Sequence, residues 1–171
     1  QVKTVNLREI ALAFASPAQI DSCYKRIKRF FSQFEFDHKV IARWLFNSFF
    51  AGSSKIYLTV DRTNWFWGKS KINLLILAVA YEGIAIPLFW RSLNKACNAT
   101  AKEHIEIIQQ FVRTFGKLRI AGVLADREFA SGALFRWFNR HKIPFYVRIK
   151  ENSELRIGRN KFHQAKRLFN R

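Results

Sequence analysis

The sequence predicts a mixed α/β fold: a mixed sheet flanked by helices, preceded by a small helical N-terminal region. Two observations predict it. Over roughly the first 50 residues, apolar side chains recur at spacings of three and four, the period of a helix buried on one face. From there on, short apolar or β-rich runs appear at 56–60, 72–81, 84–90, 120–125 and 145–149, and the later ones are separated by helical patterns at 100–115 and 131–140.

In the first region, Ser16-Pro17 is a helix start signal: a capping hydroxyl, then Pro at the first helical position. Ile20, Cys23, Tyr24, Ile27, Phe30, Phe31 and Phe34 then make one apolar face, with Lys25, Arg26, Lys28 and Arg29 opposite. Those four cations read equally as a solvated face or as a phosphate-contacting helix of a small DNA-binding module. Asp37 is placed to cap a further helix with Val40, Ile41, Trp44, Leu45 and Phe46 as its core face. The pattern changes at Gly52-Ser53-Ser54. Ile72–Tyr81 and Ile84–Trp90, split by Glu82-Gly83, read as a buried hairpin. In the helix over 100–115, Ile105, Ile108, Phe111, Val112 and Phe115 face inward; in that over 131–140, Leu134, Phe135 and Phe138 do.

Three strands joined by tight turns make an antiparallel meander. Strands reached through helices lie parallel to the first by right-handed crossovers. That arrangement matches the first part of the ribonuclease-H-like topology. The resulting division is 1–52, helical and DNA-contacting on one of the two readings above; 53–151, an incomplete ribonuclease-H-like core; and 152–171, a basic tail. The tail holds six Lys and Arg and no acid after Glu154, and reads either as unstructured or as the start of a β-rich insertion.

Composition bounds the function. With 49% apolar residues among 171, a wholly disordered chain is excluded. Thirty Lys and Arg against 12 Asp and Glu give a net charge of +18, which calls for a polyanionic partner such as nucleic acid or an acidic membrane surface. Two cysteines, Cys23 and Cys97, exclude a disulfide scaffold and a four-cysteine zinc site, and read as two reduced thiols or, alternatively, a lone structural disulfide. The four histidines show no metal-ligand spacing and read as surface or partner residues. No apolar run is long enough to span a bilayer, and the first residues lack the order of a secretory signal. Residue 1 is Gln where a reading frame begins with Met, so the chain is expected to be a fragment.

In a chain so poor in acids, Asp61 and Asp126 stand out because each closes an apolar run. In the topology above their strands are neighbours, so two carboxylates meet at the strand ends. Like charges that close repel unless a cation joins them, and hard divalent ions take oxygen ligands. The bland alternative makes each a turn residue or, for Asp126, a helix cap.

Asp61-Arg62-Thr63-Asn64-Trp65, with Gly68, Ile72-Asn73, Gly83, Ala85 and Pro87-Leu88, closely resembles the first catalytic block of bacterial insertion-sequence DDE transposases of the insertion-sequence-four type. Ala125-Asp126-Arg127-Glu128-Phe129 resembles their second block, and Phe145 to Lys150 the strand that follows. The resemblance runs from about Ile56 to Glu151, weaker in the N-terminal helices. It implies a ribonuclease-H-like catalytic domain, Mg²⁺ or Mn²⁺ held by Asp61 and Asp126, and cut-and-paste transposition: cleavage at the element's ends, then strand transfer into target DNA. It further implies double-stranded DNA as partner, a homodimer when full length, no membrane, and a bacterial cytoplasmic, nucleoid-associated location. Arg148 matches a basic residue contacting DNA near the active site. Arg62, Trp65, Lys69, Arg127 and Lys150 join it as DNA-binding candidates. Trp65 or Trp67 reads as a base-stacking residue or as core. Glu128 is not counted as a metal ligand.

The family's third carboxylate lies in a Tyr-x-x-Arg-x-x-x-Glu-x-x-x-x-x-x-Lys helix, and none of Tyr24, Tyr57, Tyr81 or Tyr146 begins that pattern. Glu151 and Glu154 come before any third core helix. Three other readings stand beside the transposase: a basic nucleic-acid-binding protein, a ribonuclease-H-like nuclease without strand joining, and a decayed remnant. With two of three carboxylates, the two-ion clamp of phosphodiester chemistry is incomplete. The 171-residue chain is therefore expected to show no strand transfer on its own. A metal-dependent nicking assay on end-sequence DNA checks this, and robust cleavage by the bare chain refutes it.

Overall fold

In the computed structural model the described residues are 3–52, 55–93, 98–158 and 161–169. They form two compact units, Gln1–Asp37 and His38–Arg171. Ser53, Ser54 and Cys97, singled out in the sequence, lie outside the described residues.

The smaller unit pairs α1 (Leu7–Leu12) with α2 (Ile20–Gln33). The Ser16 hydroxyl accepts a hydrogen bond from the Ala18 N–H, a local turn, and the helix starts at Ile20 rather than at Pro17. Only Cys23 and Ile27 of the expected apolar face are buried, against Ala11. The six-residue α1 is too short to cover more of a fourteen-residue helix. Phe30, Phe31 and Phe34 stay exposed and pack on one another, Phe30 and Phe34 being stacked at 4.8 Å.

The larger unit begins with α3 (His38–Phe50), directly after Asp37 as expected. Its buried residues are Ala42, Phe46 and Phe50, whereas Val40 and Trp44 are exposed. The apolar run here is nearly continuous, so its spacing fixes a helix but not the face. Packing selects the face: Phe46 stacks on Phe115 at 4.2 Å. The sequence groups α3 with the preceding helices, and the structure groups it with the sheet, because these three side chains belong to the large core.

A meander of β1 (Ile56–Trp67), β2 (Ser70–Tyr81) and β3 (Ile84–Ser92) follows. At the β2–β3 turn Glu82 and Gly83 have φ of 47° and 83°, the left-handed pair that suits a two-residue hairpin. Then come α4 (Ala101–Phe115), β4 (Ile120–Ala125), α5 (Gly132–His141) and β5 (Phe145–Val147). Thr100 and Glu103 close a capping box at the start of α4, and the Ser131 hydroxyl accepts from Leu134 N–H at the start of α5. The sheet order is β3-β2-β1-β4-β5, with β1 antiparallel to β2 and parallel to β4, and β4 parallel to β5. This is the mixed, helix-flanked sheet and the strand order that the sequence predicts.

Leu58, Val60, Leu75, Leu77, Phe89 and Val123 of the sheet share one core with Phe46, Phe50, Ile107, Ile108, Phe111, Leu134 and Phe138 of the helices. The opposite sheet face is open at Tyr57 and Tyr146, 45% and 58% exposed, whose rings sit over Gly122. A Cβ on Gly122 would lie 2.7 Å from the Tyr146 ring. His104 is buried, contrary to the surface reading, and packs on Phe129 at 4.5 Å. His38 and His141 pack on Trp90 and Trp137. The basic tail forms a hairpin, β6 (Glu154–Ile157) with β7 (Lys161–Gln164), then the short α6 (Lys166–Phe169). Among the described residues no helix is long and apolar enough to cross a membrane.

Phe111 is fully buried at the junction of α3, α4 and the sheet, whereas Phe66 is 69% exposed. Phe111→Ala is expected to cost about 3–5 kcal/mol in denaturant unfolding. Phe66→Ala is expected to stay within about 0.5 kcal/mol.

Candidate functional site

Parallel pairing brings β1 alongside β4, with Val60 opposite Ala125 as the last registered pair. Asp61 and Asp126 are the next residue on each side. Strands in a sheet lie about 4.8 Å apart, so the Asp61 and Asp126 backbone positions are neighbours where the two strands part, and both residues are exposed. The surroundings differ from the expectation in one respect. β4 ends at Ala125, but β1 does not end at Asp61: it runs on to Trp67, because its hydrogen bonding to β2 continues through Trp67 opposite Ser70. Asp61 marks the point where β1 leaves β4, not the end of the strand. One Asp61 oxygen, Oδ1, accepts a hydrogen bond from the Arg62 N–H at 2.7 Å.

Successive strand residues point to opposite faces. Asp61 therefore shares a face with Tyr57 and Thr59, away from the core, and Arg62 lies on the helix-covered side with Leu58 and Val60. There Arg62 forks onto Glu128: Nε to Oε1 at 3.2 Å and Nη2 to Oε2 at 3.0 Å. It also donates to the Asn73 and Asn98 side-chain oxygens. The Arg62 side chain is only 10% exposed, so this bidentate pair is partly desolvated and stronger than a surface ion pair. It ties β1 to the turn Arg127–Phe129 that follows Asp126, and Phe129 in that turn is itself buried. Glu128 is thus engaged on the side of the sheet away from Asp61.

Of the other candidates, Arg148 approaches Asp126, Nη1 to Oδ1 at 3.7 Å, with its side chain 84% exposed. Arg127 and Lys150 line a cavity of about 590 Å³ shared with Asn98, Glu128, Ala130 and Ser153, on the Glu128 side and without either aspartate in its lining. Trp65 and Lys69 are not drawn in. They sit on the β1–β2 hairpin beyond the last rows paired to β3 and β4. Trp65 is 41% exposed, so the core reading fails; the Trp67 side chain lies outside the described residues. Four residues beyond Asp61 and on its face, Trp65 stands about 13 Å along the strand. Among the described residues no group of three or more His, Cys, Asp or Glu is placed to hold a metal. The site offers a pair of carboxylates, whose oxygens suit a hard divalent cation.

Sequence reasoning missed the roles of Asn73, Asn98 and Glu128. Asn73 carried a usable signal: a polar residue, 1% exposed, inside the apolar run of β2. Asn98, in a loop, carried none.

No family model matches the chain, and no curated protein matches it. Solved structures do show a likeness. One is in the cryo-EM structure of the simian T-cell lymphotropic virus intasome in complex with PP2A regulatory subunit B56 gamma, at 14% identity and TM-score 0.44, over 56% of this chain and 35% of that one. Another is the HTLV-2 integrase catalytic core domain in complex with magnesium, in its dimeric form, at 17% identity and TM-score 0.42, over 55% of this chain and 61% of that one. A third is the large terminase of a thermophilic bacteriophage, at 16% identity and TM-score 0.35, over 55% of this chain and 23% of that one. The chain spans less than two thirds of the length of each. With these scores below 0.5, the topology rests on the strand pairing itself.

Removing Glu128 takes the bidentate carboxylate from a partly buried Arg62 guanidinium, whose Asn73 and Asn98 contacts are neutral amides. Glu128→Ala is expected to destabilise the larger unit by about 1–3 kcal/mol, read as a lowered thermal midpoint.

Proposed function

We propose that the chain is part of a DDE transposase, catalysing metal-dependent DNA cleavage and strand transfer in the cut-and-paste movement of an insertion sequence. The observation that carries the reading is the β1–β4 register, which sets Asp61 beside Asp126. Two carboxylates brought together at exposed positions, in a chain of net charge +18, suit a site that takes a cation and an anionic polymer together.

In this reading Asp61 and Asp126 hold Mg²⁺ or Mn²⁺. The chemistry such an ion supplies when bound is charge neutralisation at the phosphodiester and activation of the nucleophile. The chain's own residues do the rest. Arg148, Arg127 and Lys150 bind phosphates flanking the carboxylates. Arg62 acts from beneath as a positioning residue, holding the two Asp-bearing segments in register through Glu128. Trp65 stacks on a base displaced along the carboxylate face, and Lys69 neutralises a phosphate at the hairpin tip. The partner is double-stranded DNA, both element ends and target, engaged by a homodimer of the full-length protein in the bacterial cytoplasm near the nucleoid. The third carboxylate of the resemblance has no counterpart in this chain, so the chain alone is inactive.

The charge alone equally suits a protein that only binds nucleic acid, and one experiment separates the two. Mn²⁺ titration of the chain is expected to show weak binding that falls about tenfold, near 1.4 kcal/mol, in Asp61→Asn and in Asp126→Asn. DNA affinity should not fall in either. Mn²⁺ binding untouched by both substitutions leaves only the binding protein.

A further inference from the structure

A second concentration of charge lies outside the carboxylate site. Lys39 and Arg43 of α3, Arg91 of β3 and Arg113 of α4 line one cleft of about 580 Å³. Its single acid, Glu106, is already engaged by Arg91, and Lys102 lies 4.0 Å from its other oxygen. Counting Glu106, the lining carries a net +3 contributed by three separate elements. Gln109 and Gln110 add neutral amide donors to the same wall. Like charges converging from independent elements repel one another, and a bound anion relieves that cost.

The strand register places this cleft relative to the carboxylates. β3 runs parallel to β1, each being antiparallel to β2. Arg91 pairs with Leu75, and Leu75 with Arg62, so Arg91 lies in the row one residue beyond Asp61. Two strand spacings of about 4.8 Å put Arg91 roughly 10 Å to the side of Arg62. Arg91 shares the helix-covered face with Leu75 and Arg62, so the cleft lies across the sheet from the face that carries Asp61. From Glu106 to Arg113 the cleft follows α4 for about 10 Å, the rise of about three nucleotides of one strand.

We propose that this α3–β3–α4 cleft is a phosphate-binding track that holds the backbone of a DNA strand on the helix-covered side of the sheet, apart from the carboxylate site. The ligand chemistry is a run of phosphodiesters gripped by guanidinium and ammonium groups, with no base readout. A concave, linear cleft fits a strand, whereas an anionic membrane presents a flat surface. The proposal rests on the function above for the identity of the polyanion, and the two fail separately.

The test is duplex DNA binding by the whole chain against salt concentration. Arg43→Gln with Arg113→Gln removes two exposed cations from the cleft. Lys55→Gln with Arg140→Gln removes two from the opposite end of the sheet. The cleft pair is expected to lower the slope of log affinity against log salt by about 1.8, at about 0.9 per lost phosphate contact. The control pair should change it by less than half of that. Circular dichroism and the thermal midpoint check that both variants are folded. Mn²⁺ binding should be unchanged in the cleft pair, so its loss in the aspartate variants and the slope here are independent results. An equal change in both pairs, or none in the cleft pair, overturns the proposal. So does saturable binding of free inorganic phosphate or a mononucleotide that the cleft pair abolishes while the DNA slope stays fixed, which assigns a small-anion site. Loss of binding to phosphatidylserine vesicles with an unchanged DNA slope likewise overturns it and assigns a membrane contact.

Discussion

The parallel pairing of β1 with β4 is the constraint on which the rest of the structure depends. Asp61 and Asp126 are 65 residues apart in the chain and are neighbours only because Val60 lies opposite Ala125. A slip of one residue would turn one carboxylate into the core and the other away from it. The register is held on both faces. Beneath the carboxylates, Leu58, Val60 and Val123 fit the helical layer, and the Arg62–Glu128 fork closes on that same side. Above, the Tyr57 and Tyr146 rings come together over Gly122, a contact that a side chain there would obstruct.

Strand order and the neighbouring positions of Asp61 and Asp126 were legible in the sequence because they depend on period and on scarcity. The strand over 120–125, for instance, is recovered residue for residue, and in a chain with few acids the two closing apolar runs are conspicuous. Helix faces were less legible. In α3 so many neighbours are apolar that the choice of Ala42, Phe46 and Phe50 is made by Phe111 and Phe115, far along the chain. In α2, Phe30, Phe31 and Phe34 follow the helical period and are still exposed, since periodicity records which side is apolar and not whether anything covers it. The extent of β1 was misjudged for a related reason. Asp61 looks like a stop, but a strand continues while its partner supplies hydrogen bonds, and β2 does so for six more residues.

The cations divide by element. The hairpin beyond Asp61 carries Lys69 and Lys71, the latter over the Phe66 ring, while Arg127, Arg148 and Lys150 crowd the segments after β4 and β5. Asp61 and Asp126 are thus an acidic point inside a basic surround.

The long excursion between the two halves of the acid pair has a kinetic consequence. The β1–β2–β3 meander closes through turns of a few residues, whereas joining β4 to β1 means closing a loop of about 60 residues, a slower and entropically dearer step. The meander and its hairpin therefore take shape first, and the paired acids are among the last features to be assembled. During synthesis, a nascent chain that has emerged only as far as α4 holds the meander and Asp61 but neither Asp126 nor the Arg127, Arg148 and Lys150 that follow it.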